Sequence, residues 1–142
     1  MVKSLLVLAL VLVSTYAMAT PTVHNGRVTI TYDRGGNVAS YERAWRNIAQ
    51  QGVPVVIAGE CTSACTFVLG IVPPNRVCMT RNAKFGMHLG RNGRVPDYAG
   101  TRYLQQLYYP PVVRSWIAAH EPLHDAPKFM HPSDMRGFYR MC

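Results

Sequence analysis

The sequence predicts an α/β domain built on a mostly parallel sheet with flanking helices, and three observations carry that reading. Residues 53–58 form a short, β-branched-rich run closed by Gly59, as a buried parallel strand does. Residues 29–32 make a second strand that ends in Asp33-Arg34-Gly35-Gly36. Between the two, Tyr41, Ala44, Trp45, Ile48 and Ala49 recur at helical spacing within residues 39–51, so strand, helix and strand alternate.

The later elements follow the same logic. Residues 63–69 predict a buried helix directly after the strand that ends at Gly59. His88 closes a later strand. The segment 90–94 reads as a loop, and Asp97 as the cap of a helix over 98–109. Pro110-Pro111 break that helix, which resumes to His120. Ser133 predicts the cap of a terminal helix with Asp134 exposed in its first turn. At 142 residues and 49% hydrophobic content the chain makes one domain with a real core, with no repeat or low-complexity stretch.

Residues 59–66 read G-E-C-T-S-A-C-T, and His88 lies 25 positions after Ser63. Ser63 thus sits on a strand-to-helix turn, and a histidine ends a later strand. An ordinary helix cap is the plain explanation of such a serine. The upstream pair Gly35-Gly36 adds to it, because glycines at a strand-to-helix corner permit close backbone approach and leave free N–H groups directed into a cleft. A nucleophile, a base and an anion-binding corner are the ingredients of acyl transfer.

The order strand, G-G, helix, apolar strand, G-x-x-x-S, helix, then strand ending in histidine resembles the Clp protease proteolytic subunit and its relatives in the crotonase-like superfamily. The C-x-S-A-C segment is most similar to the small exported ClpP-like proteins of that group. The resemblance covers residues 27–89 and implies a crotonase/ClpP-like spiral core. It also implies that Ser63 is the acylated nucleophile and His88 its general base, with the N–H groups of Gly36 and Ala64 forming the oxyanion hole. The family places an acid well beyond the histidine, and Asp125, ahead of residues 129–134, stands nearest that place. In the family, residues corresponding to 98–120 carry assembly contacts or a lid, which leaves room for a homo-oligomer.

The first 19 residues read as a secretory signal: Lys3, an apolar run over 5–13, then Ala17-Met18-Ala19 for cleavage after Ala19. The single ClpP-like domain is then 20–142, soluble and secreted or periplasmic, because no later segment is apolar enough to span a membrane. Export gives Cys61, Cys65, Cys78 and Cys142 an oxidising compartment, and an even count predicts disulfide bonding without choosing among three full pairings. Cys65 with His88 is the rival nucleophile, weakened because export favours oxidation of the thiol.

His120-Glu121-Pro122-Leu123-His124 matches H-E-x-x-H literally. Zinc chemistry of that kind needs a continuous helix, and Pro122 denies it. The reading therefore invokes neither metal nor cofactor. Without Lys3 the chain carries 14 basic and 7 acidic residues, a formal +7, with 12 of the basic groups arginine. They are spread along the chain without a nucleic-acid motif, which argues for a solvated cationic surface over nucleic-acid binding. The expected function is an exported serine hydrolase, a peptidase acting on peptide or protein substrates. The alternative is a catalytically inactive envelope binding or assembly protein that keeps the fold.

Overall fold

The computed structural model describes residues 20–142, so the expected signal segment lies outside the described residues. Strand β1 (Val28–Asp33) leads through helix α1 (Val38–Gln50) to β2 (Val55–Thr62), which lies parallel to β1. Their register runs Val28↔Val55 to Ile30↔Ile57 and then slips, resuming at Tyr32↔Glu60 and Asp33↔Cys61. The extra β2 residue falls at Ala58-Gly59. A Cβ on Gly59 would lie 2.0 Å from the Thr31 carbonyl oxygen, so only glycine lets the backbones approach this closely at the bulge.

The other edge of β2 is shared. Its first half, Val55 to Ile57, pairs with β3 (Val77–Met79), and its second half, Glu60 to Thr62, pairs with β4 (Lys84–Met87), both parallel. After β4 the chain makes a small hairpin of β5 (Arg91–Asn92) and β6 (Val95–Pro96), then α3 (Tyr98–Tyr108) and α4 (Pro111–His120). It returns as β7 (Lys128–Met130) beside β4 and finishes as β8 (Arg140–Met141) beside β3.

The fold is α/β, but the sheet is mixed where a mostly parallel one is expected. The difference has a simple cause: the chain comes back to β4 at the end where it left, with Lys128 opposite Met87, and so runs antiparallel. Two helix expectations also change. In place of a helix over residues 63–69 the chain forms a 3-10 turn, Ser63–Phe67, followed by a single α-helical turn, α2 (Val68–Ile71). The terminal helix is only a 3-10 turn, Pro132–Met135, and its cap is His131 in place of Ser133. Asp134 is exposed as expected and accepts the His131 N–H at 2.7 Å.

The core follows the amphipathic pattern of α1, whose Tyr41, Trp45 and Ile48 are buried against the sheet. Two disulfides form, Cys61–Cys65 and Cys78–Cys142, the second fastening β3 to the residue after β8. They fit an extracellular or periplasmic location, where thiols oxidise. No helix among the described residues is long and apolar enough to cross a membrane.

Candidate functional site

Ser63 leaves β2 with φ +59°, inside the left-handed region that a serine rarely occupies. Three contacts hold it there. The Cys61–Cys65 disulfide, both sulfurs in the core, brackets the turn. The Thr66 hydroxyl donates to the Ser63 carbonyl at 2.5 Å, and its oxygen lies 2.5 Å from the Tyr109 hydroxyl. Since the single Thr66 proton is spent on Ser63, Tyr109 is the donor to Thr66. Burial pushes the Tyr109 phenol up to about 12, so it keeps that proton at neutral pH.

The third contact is the Gly35 backbone. A Cβ there would lie 2.7 Å from the Ala64 nitrogen, the Ser63 Cβ and the Thr62 carbonyl oxygen, and Gly35 itself has φ +76°. The corner after β1 therefore packs directly on the serine turn. Gly36, the next residue, has an N–H that no hydrogen bond among the described residues uses. Ala64 follows Ser63 at the start of a helical turn, where N–H groups lack intrahelical partners. The two amides assigned to an oxyanion hole are thus on neighbouring pieces of chain.

His88 follows β4 and its Nδ1 lies 2.7 Å from the Leu89 carbonyl oxygen. A carbonyl only accepts, so Nδ1 carries the proton and Nε2 is the basic nitrogen. Ser63, Ala64 and His88 line one cavity of about 80 Å³, whose walls are otherwise mostly apolar, with Phe67, Leu104 and Ile117 among them. No hydrogen bond links Ser63 to His88 among the described residues. Their meeting is a shared cavity, with the serine hydroxyl unengaged.

Asp125, expected to orient His88, is exposed and its carboxylate takes the Arg91 guanidinium at 2.6 Å. Asp97 caps α3 as expected, accepting the Gly100 N–H at 2.8 Å. Cys65 is consumed in a disulfide, which removes the rival thiol nucleophile. In H-E-P-L-H, His120 ends α4 and bonds the Trp116 carbonyl, with Glu121 already outside the helix, so the two histidines do not share a helical face.

Sequence reasoning missed three members of this site. Asp33 accepts both the Gly35 N–H at 2.7 Å and the Tyr41 hydroxyl at 2.6 Å. Thr66 and Tyr109, 43 positions apart, meet only in the folded core. For Asp33 a local signal existed, because an aspartate two residues before a glycine commonly closes an Asx turn. Comparison with known protein families and with characterised proteins finds no match to this chain.

Proposed function

We propose that this chain is an exported serine hydrolase of the ClpP/crotonase-like kind, a peptidase, with Ser63 as nucleophile and His88 as base. The observation that carries the reading is the left-handed Ser63, held on its turn with a hydroxyl that bonds nothing among the described residues, in the same cavity as a histidine whose tautomer is fixed. Backbone strain of about 1–3 kcal/mol persists only where the surroundings over-determine it, and such positions cluster at functional sites.

In the proposed reaction, a rotation of the Ser63 side chain brings Oγ to His88 Nε2, which takes its proton as Oγ attacks the substrate carbonyl carbon. The carbonyl oxygen becomes an oxyanion facing the Gly36 and Ala64 N–H groups. His88 then gives the proton to the departing amine as the C–N bond breaks. Water, deprotonated by the same Nε2, attacks the acyl carbon; the bond from that carbon to Ser63 Oγ breaks, Nε2 returns the proton to Oγ, and the acid leaves. The Leu89 carbonyl does the orienting work for which Asp125 was expected, and the apolar cavity wall suits an apolar substrate side chain.

One observation favours a second reading, an inactive binding or assembly protein: the carboxylate expected at His88 is committed to Arg91. The deciding experiment exposes purified protein to a fluorophosphonate probe and locates the adduct by mass spectrometry. Labelling at Ser63, lost in His88→Ala, supports the hydrolase. A folded protein inert to the probe and to peptide and ester libraries supports the binding protein.

A further inference from the structure

We propose that Asp33 is the positioning residue of this site, one carboxylate oxygen tying the glycine corner to α1 so that the Gly36 amide is left to face Ser63. The inference rests on the hydrolase reading, and three observations carry it. Asp33 Oδ1 accepts from the Gly35 N–H at 2.7 Å and from the Tyr41 hydroxyl at 2.6 Å. Tyr41 is a buried residue of the first turns of α1, so the oxygen is anchored to the core and not to solvent. The corner it holds leaves no slack, since a Cβ at Gly35 would collide with the backbone of both Thr62 and Ala64.

The consequence is a division of labour between two adjacent amides. Gly35 N–H is spent on Asp33 and cannot bind a substrate oxygen, whereas Gly36 N–H has no such commitment among the described residues. If Asp33 let go, the Gly35 N–H would be released to compete for the same oxygen, and in so tight a corner even a small resulting shift would take the Gly36 donor off the position where charge develops. Donors of this kind act through pre-set geometry, and a small misplacement costs rate before it costs binding. Asp33 never touches the substrate in this scheme; it acts through Gly35 and Gly36.

The test compares Asp33→Ala with Asp33→Asn in the mature chain. Asparagine keeps an accepting oxygen at the same place, and alanine removes it. Fluorophosphonate saturation kinetics should show the maximal labelling rate of Asp33→Ala falling by about tenfold or more, with the half-saturating probe concentration unchanged. Asp33→Asn should recover to within about threefold of wild type. Wild-type labelling in a folded Asp33→Ala, or equal losses in both variants, would overturn the proposal. If Asp33→Ala does not fold, Tyr41→Phe, which deletes one of the two donors, carries the comparison; an unchanged labelling rate then counts against it.

Failure of the hydrolase reading gives a different result, a wild type that never labels. The positioning claim is then decided by the backbone amide resonances of Gly36 and Ala64. These should move in Asp33→Ala and return in Asp33→Asn. Resonances that stay put in Asp33→Ala would refute the positioning role.

Discussion

Trp45 donates its indole N–H to the Cys65 carbonyl at 3.1 Å, with both residues fully buried. The helix that follows the glycine corner is thereby locked to the turn that follows Ser63, and two sides of the candidate site share one internal hydrogen bond. Trp45→Phe keeps an aromatic ring but strands a buried carbonyl and opens a small void. It should lower unfolding free energy by about 2–4 kcal/mol. Urea titration checks this through a lower midpoint at unchanged slope.

Ser63 tests strain and chemistry separately. Ser63→Gly removes the left-handed penalty, partly offset by greater freedom of the unfolded chain, and should stabilise by about 0.5–1 kcal/mol. Ser63→Ala keeps the strain and deletes a hydroxyl that bonds nothing among the described residues, so stability should stay within about 0.5 kcal/mol of wild type. Both should abolish probe labelling. Calorimetry alongside labelling reads the two effects on the same samples.

The disulfides should divide by role. Cys78–Cys142 spans 64 positions, and its loss in a Cys78→Ala/Cys142→Ala variant should cost about 4 kcal/mol in the chain-entropy picture. Cys61–Cys65 spans only 4 positions, for about 2 kcal/mol, yet it brackets the strained serine. Cys61→Ala/Cys65→Ala should therefore lose labelling out of proportion to its loss of stability. Non-reducing peptide mapping of the wild type should recover these two pairings.

Alkaline pH should destabilise the fold through its tyrosines. Burial pushes the Tyr109 phenol to about 12 from an ordinary 10.0, and Tyr41 and Tyr139 are raised too, each chiefly by burial. A raised folded pKa means that the unfolded chain releases the proton first. The stability these groups contribute is whole below pH 10 and drains away as pH climbs towards 12 and beyond. Melting temperature should fall over that window, and Tyr109→Phe should shallow the fall.

Much of the frame was legible because it depends on local pattern. The strand around residues 53–58, the buried face Tyr41, Trp45 and Ile48, the Asp97 cap and the break at Pro110-Pro111 each need only neighbours along the chain to be specified. What escaped depends on distant partners. Nothing in C-T-S-A-C marks a positive φ at Ser63, which is imposed by Gly35, 28 positions earlier, and by Thr66 with Tyr109. Asp125 looked available because its Arg91 partner is 34 positions away, in the β5–β6 hairpin. Strands of two or three residues, such as β7 and β8, carry too little pattern to read, and the antiparallel return of β7 with them.

The shared edge of β2 has a further meaning for motion. Val55 to Ile57 belong with β3 and its disulfide to β8, while Glu60 to Thr62 belong with β4 and the cavity wall, and the bulge at Ala58-Gly59 falls between the two ladders. A single strand is thus divided between two ladders, which should open as separate units with different free energies. Amide exchange along β2 should change rate at that junction, and occupancy of the cavity should slow the second half while leaving the first nearly untouched.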